Sequence, residues 1–166
     1  MQSNKIVILL AILLTSNCSM FVPPDQDLSP IEEASKYIGY HERTNRKELQ
    51  ALMDIDPVTT QWCAAFVNSV LNRQGIPGTD SFAEYPLLAR SFLSWGIPAE
   101  TPEPGDIVVL SRGNASWKGH VGIYISTVTI DGVEYYQILG GNQDNSVSIK
   151  EYPTSRLLGI RKPIEF

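Results

Sequence analysis

The apolar positions in the first half of the chain repeat at the spacing of amphipathic helices. The predicted helices cover residues 31–37, 47–53, 60–74 and 85–95. In the third, Cys63, Phe66 and Val70 share one face, because residues three and four apart are neighbours on a helix. Thr59 or Thr60 is its predicted N-cap, and Gly75 is its predicted stop. Cys63 therefore lies in the first turn of a helix with a buried face.

From residue 101 onward the pattern alternates with a period of two, which is typical of β-strands. The predicted strands cover residues 107–110, 119–126, 127–130, 134–139, 147–149 and 158–161. Asp131-Gly132 predicts a two-residue hairpin turn, and residues 140–145 predict a turn-rich loop. Helices followed by antiparallel strands predict an α+β domain, with N-terminal helices packed on one face of a C-terminal antiparallel β-sheet.

The N-terminus has the pattern of a targeting segment. Lys5 precedes an apolar run over residues 6–14, and small polar residues follow to Ser19. We expect residues 1–18 to be a signal peptide or lipoprotein leader, 19–29 a linker, and 30–166 the folded domain. Cys18 is a candidate lipid-bearing cysteine that would tether the protein to a membrane, and an uncleaved anchor is a further alternative. Export to the periplasm or the extracellular space is the expectation.

Composition limits the classes of partner. The chain has 166 residues, a formal net charge of −5 and a pI near 5.0, and these values argue against nucleic acid as a partner. His41 and His120 have no zinc-ligand spacing, and Cys63 has no second cysteine in the domain. We expect no metal, no cofactor and a monomer.

Three residues are candidates for chemistry, each with a structural alternative. The helix N-terminus favours a thiolate at Cys63, although a buried apolar cysteine is also common. His120 begins a strand between Gly119 and Gly122, which leaves room around its ring; a packed structural histidine is the alternative. Asn142 follows a neighbouring strand and is a candidate to orient the imidazole, although Asn at a turn usually serves its backbone conformation. Gln143 and Asp144 are the alternatives to Asn142 as the residue that orients the imidazole.

The ordered motifs resemble those of the papain-like peptidoglycan hydrolases of the NlpC and CHAP type. They are Trp62-Cys63-Ala64-Ala65-Phe66, Pro102-Glu103-Pro104-Gly105-Asp106, Gly119-His120-Val121-Gly122-Ile123-Tyr124 and Leu139-Gly140-Gly141-Asn142-Gln143. Three segments look closer to a bacterial and phage-borne branch: Leu139–Gln143, Gly75-Ile76-Pro77-Gly78-Thr79 and Leu157-Leu158-Gly159-Ile160-Arg161. The resemblance extends from about Pro30 to the C-terminus.

The resemblance implies a papain-like fold and hydrolysis of amide bonds in cell-wall peptides. Cys63 matches the nucleophile, His120 the general base, and Asn142 the third member of the triad. The implied oxyanion hole contains the backbone N–H of Cys63. No single residue is an obvious side-chain donor; Gln61, Tyr40 and Glu42 are the candidates, and Gln61 is taken first.

Trp62 and Tyr124 are predicted to contact the substrate. Two alternatives stay open on the same fold: a non-catalytic wall-binding module, and an acyltransferase in which an amine replaces water.

Overall fold

Three α-helices occupy the N-terminal part of the structure. The computed structural model describes residues 29–164, so the predicted leader and all but the last residue of the predicted linker lie outside the described residues. The helices are α1 (Pro30–Ser35), α2 (Arg46–Met53) and α3 (Cys63–Arg73). No helix between residues 29 and 164 is long and apolar enough to cross a membrane.

Helix α3 begins later than predicted. Its N-cap is Trp62, which makes no side-chain capping bond. Thr59 and Thr60 belong instead to a preceding turn, in which both backbone N–H groups donate to the carbonyl of Asp56. The predicted threonine cap is therefore wrong, and Cys63 is the first helical residue.

The predicted helix over residues 85–95 is only partly formed. A 3₁₀-helix covers Ala89–Ser94 and buries Ala89 and Phe92, whereas residues 85–88 are not helical. Pro86 disfavours helical backbone at Tyr85, and the helical turn begins only at Ala89.

Six strands form one sheet in the order β1-β6-β2-β3-β4-β5, and the paired strands are antiparallel. The strands are β1 (Ile97–Ala99), β2 (Ile107–Ser111), β3 (Gly119–Ile130), β4 (Val133–Gln143), β5 (Ser146–Pro153) and β6 (Leu157–Lys162). The predicted strands 119–126 and 127–130 are one continuous strand, β3. Strand β1 was not predicted; it is short and lies at the sheet edge, where Pro98 is tolerated.

Two hairpin turns fix the register of β3, β4 and β5. The predicted turn at Asp131-Gly132 is confirmed, with φ of 50° and 78° at its two residues. The predicted loop over residues 140–145 is wrong, because β4 continues to Gln143 and only Asp144 and Asn145 form the turn. Both turn residues have positive φ, as a tight hairpin turn requires.

The main core lies between the helices and one face of the sheet. Helix α3 is buried along most of its length and contacts β3 and β4, and both α1 and α2 pack against it. Trp62 and Phe66 are fully buried and approach β4 at Gly141. A smaller cluster that includes Tyr124, Ile138 and Ile160 forms elsewhere on the sheet.

Gly141 is where α3 comes closest to β4. An alanine there would place its Cβ 2.6 Å from the Trp62 ring and 2.7 Å from Cβ of Phe66, so the helix or the strand would have to move. We expect Gly141→Ala to lower the free energy of unfolding in urea by about 1–3 kcal/mol, the usual cost of overpacking. Gly140→Ala is the matched control, because its Cβ would meet no atom closer than 3.4 Å. Equal stabilities of the two variants would contradict the prediction.

Candidate active site

The thiol of Cys63 lies at the junction of α3 and β3. Cys63 is a buried free cysteine with 4% of its surface exposed. Helix α3 contacts β3, and the backbone N–H groups of Val121 and Ala64 lie close enough to the sulfur to lower its pKa. Val121 directly follows His120 in β3, so folding carries the sulfur to the strand that bears the candidate base.

Burial opposes ionisation of this thiol. The pKa of Cys63 is raised above its ordinary value, mainly by burial, while the backbone N–H groups of Val121 and Ala64 and the positive charge of Arg112 act in the opposite direction. The helix N-terminus favours a thiolate at Cys63, but burial opposes it more strongly. The resting sulfur is protonated, and catalysis at Cys63 would require a nearby base.

His120 is buried in β3, and its Nε2 lies 3.1 Å from Oε1 of Gln143. The Gln143 amide nitrogen donates to the carbonyls of Ile138 and Ser148, and the Tyr152 hydroxyl donates to the same Oε1. Since Oε1 can only accept, Nε2 of His120 must carry the hydrogen. The other ring nitrogen, Nδ1, is then the basic one.

The predicted third residue, Asn142, does not contact His120. Its Nδ2 donates to Oε1 of Gln61 over 3.2 Å, and its backbone is left-handed with φ of 58°. The pairing of β4 with β5 shifts between Gly140 and Gln143, which is a β-bulge. The bulge puts Gly140 and Gln143 together beside Nε2 of His120. The geometry thus corrects the sequence-based assignment: Gln143, first considered as a substitute, occupies this position.

Burial also makes His120 a weaker base than an ordinary histidine. Its pKa is lowered from 6.5 to about 4, chiefly by burial; the hydrogen bond to Gln143 raises it, and the charges of Arg112, Arg156 and Lys150 lower it further. The imidazole is therefore neutral, and able to accept a proton, at any pH well above 4.

This shift predicts the pH dependence of the protein. If His120 must be neutral to act, kcat/KM should rise through about pH 4 and not through pH 6.5. The free energy of unfolding should fall as the pH is lowered from 6.5 to 4, because in this range the unfolded chain binds a proton that the folded chain excludes. A rate profile from pH 3.5 to 8, with unfolding measured at each pH, tests both effects. An acid limb at pH 6–7 would contradict the assignment of His120 as an uncharged base.

Cys63 faces a cleft of about 350 Å³, here called the thiol cleft. It is lined by Gln61, Cys63, Leu87, Leu88, Ala89, Arg112, Trp117, Lys118 and Gly119. Its apolar wall is held in place through Asn68 on α3, whose side chain accepts from Thr79 and donates to the carbonyl of Pro86. A substrate segment with apolar groups matches this lining.

Gln61, a predicted oxyanion donor, is one of the residues that line the thiol cleft. Its Oε1 accepts from Nη1 of Arg112 over 3.1 Å and from Nδ2 of Asn142 over 3.2 Å. With the oxygen held by two donors, the amide NH₂ is the end of Gln61 that can donate to a ligand. The backbone N–H of Cys63 belongs to the first helical turn, where such groups lack a partner within the helix.

The two predicted substrate contacts are wrong. Trp62 is fully buried and packs against Phe66, and its indole N–H points to Glu42. Trp62 is the N-cap of α3, and its ring belongs to the core between the helices and the sheet. Tyr124 is 7% exposed, and its hydroxyl bonds Thr127. Neither side chain is among those that line the thiol cleft.

Four residues near His120 were not singled out from the sequence: Arg112, Lys150, Tyr152 and Arg156. The Tyr152 ring lies 5.1 Å from the imidazole, and the three cations lower the pKa of His120. They come from a loop, from β5 and from the turn before β6, so no local pattern links them. Among residues 29–164, no group of three or more His, Cys, Asp or Glu side chains is arranged to hold a metal ion.

Comparison with known proteins identifies the family. A comparison with curated protein sequences finds no match to the chain. The family model described as CHAP domain matches residues 55–142, which include Cys63, His120 and the end of β4 up to Asn142. The six-stranded antiparallel sheet with its helices is consistent with that fold. CHAP domains are typically cysteine- and histidine-dependent amidases or peptidases, and the match supports a peptidoglycan-hydrolase or amidase type of function. The chain belongs to the CHAP domain family.

Proposed function

We propose that this chain is a cysteine amidase or endopeptidase that hydrolyses amide bonds in the peptides of peptidoglycan. The observation that carries the proposal is the contact of α3 with β3, where the backbone N–H of Val121, the residue after His120, acts on the pKa of Cys63. Export is part of the proposal and is supported by the leader-like residues 1–18.

Cys63 and His120 act as nucleophile and general base. The imidazole donates through Nε2 to Gln143, so Nδ1 has the lone pair that accepts the thiol proton. The sulfur then attacks the amide carbon and forms a tetrahedral intermediate. When the C–N bond breaks, the imidazolium returns the proton to the departing amine and leaves a thioester. Water, deprotonated by His120, adds to the thioester, and the thiol leaves to regenerate the enzyme.

The oxyanion of each tetrahedral intermediate is bound by the backbone N–H of Cys63 and the amide NH₂ of Gln61. Both groups border the thiol cleft, and Gln61 is held by Arg112 and Asn142. Such donors stabilise charge that appears only during the reaction, and one of them is worth about 10²–10³ in rate. They matter especially here, because neither Cys63 nor His120 is charged at rest.

Mass spectrometry of fragments released from purified cell walls tests the proposal. The full-length protein is expected to release products with a new primary amine and a new carboxylate within the peptide, and with no new reducing sugar end. Heat-denatured protein is the control. Release of glycan fragments with intact peptides, or of no fragments at all, would overturn the proposed activity.

A further inference from the structure

A second cleft of about 380 Å³, here called the basic cleft, adjoins the thiol cleft through Arg112, which lines both. His120 and Gln143 form part of its wall. Its charged lining side chains are Arg112, Asp144, Lys150 and Arg156, three cations and one anion. The chain as a whole has a net charge of −5, whereas the side chains that line this cleft have a net positive charge.

The cations are held in defined positions. Nε and Nη2 of Arg156 donate to the carbonyl of Ser111, and its guanidinium lies 5.0 Å over the Tyr152 ring. Nζ of Lys150 lies 2.5 Å from Asp144, whose carboxylate is 84% exposed. An ion pair this open to water contributes little binding energy, so Lys150 can exchange Asp144 for a ligand at low cost. Placed guanidinium and ammonium groups of this kind recognise carboxylates.

We propose that the basic cleft binds a free carboxylate of the substrate, carried by the residue that supplies the leaving amine. This inference rests on the proposed function. The chemistry indicates which part of the substrate lies in the basic cleft. His120 returns the proton to the departing amine, and its ring lines the basic cleft, so the residue that supplies the amine occupies that cleft. The acyl part of the substrate then occupies the thiol cleft, which has the apolar wall.

A bound carboxylate would also affect catalysis. Arg112, Lys150 and Arg156 all disfavour the protonated imidazole. An anion among them offsets that effect and makes His120 a better acceptor for the thiol proton when the correct peptide is present. The basic cleft would therefore influence the rate as well as the choice of substrate.

Two synthetic wall peptides test the proposal. They are identical except for a free carboxylate or a primary carboxamide on the residue that supplies the leaving amine. The full-length protein is expected to show a kcat/KM about tenfold or more higher for the carboxylate peptide, the range of one charge-assisted hydrogen bond. The preference should weaken as salt is added, because exposed charges are screened.

Variants of Lys150 assign the effect to the basic cleft. Lys150→Gln is expected to reduce the preference severalfold, with the larger loss for the carboxylate peptide, and Lys150→Arg is expected to retain it. Lys162→Gln is the matched control, because Lys162 forms a similar ion pair with Glu103 but lines a different cavity. Thermal unfolding of each variant excludes a loss of fold.

The possible outcomes separate this inference from the proposed function. Equal rates for the two peptides, or the same effect of Lys150→Gln and Lys162→Gln, would overturn the carboxylate site. A preference that appears only when the carboxylate is moved to the acyl side would also overturn it. If neither peptide is cleaved, the proposed function fails. Calorimetric binding of both peptides to the Cys63→Ala variant then decides the carboxylate site, with tighter binding of the carboxylate peptide expected.

Discussion

Replacing Cys63 with alanine is expected to slow the release of peptide fragments from purified cell walls by about 10⁴-fold or more. The reason is that the sulfur forms the covalent bond to the acyl group, and no other described side chain in the thiol cleft is a nucleophile of comparable strength. Fragment release over time, measured at equal concentrations of protein, gives the ratio.

A control is needed because Cys63 is buried and its replacement also affects packing. The alanine variant loses one buried sulfur atom, and its melting temperature should fall by no more than about 5 °C. Ser69→Ala is the matched control: Ser69 lies in the same helix and bonds only the carbonyl one turn before it. An alanine variant at position 63 that releases fragments as fast as the parent would rule out the thioester mechanism.

Replacing Gln143 with methionine should lower kcat by about 10²-fold or more, with a smaller effect on KM. Methionine has a similar length but cannot accept from Nε2 of His120, so the ring loses the bond that sets its tautomer and orientation. The acid limb of the rate profile should also move down, because the hydrogen bond to Gln143 raises the pKa of His120.

The rate loss caused by Asn142→Gly, compared with that caused by Gln143→Met, shows which of the two residues supports His120. Glycine fits the left-handed backbone at position 142 and removes only the bond to Gln61. A loss of less than about tenfold is expected, the usual range for one exposed neutral hydrogen bond. A larger loss from Asn142→Gly than from Gln143→Met would restore Asn142 as the third member of the triad.

The elements that bear the candidate site could be predicted because each has a local pattern. The i, i+3, i+4 spacing around Cys63 predicts α3, the alternation around His120 predicts β3, and Asp131-Gly132 predicts the hairpin that joins β3 to β4. The third residue could not be chosen in this way. A bulge after Gly140 changes which side chain faces the imidazole, and its position depends on the register in which β4 pairs with β5, which the period-two pattern does not specify.

Properties that depend on tertiary packing were also missed. The position of Cys63 at a helix N-terminus suggests a thiolate, but the surrounding core decides the charge, and burial prevails. Trp62 was predicted to contact the substrate, whereas its ring is buried and fills the space that Gly141 leaves open. The basic cleft is assembled from three separate segments, so no sequence window contains it.

The protonated, enclosed state of Cys63 has a consequence for the durability of the protein. Peroxides and other oxidants attack thiolates far faster than thiols, and they need access to the sulfur. A sulfur that is 4% exposed and has a raised pKa is poorly reactive toward them. The nucleophile would thus survive in air and outside reducing compartments, since it becomes reactive only during a turnover.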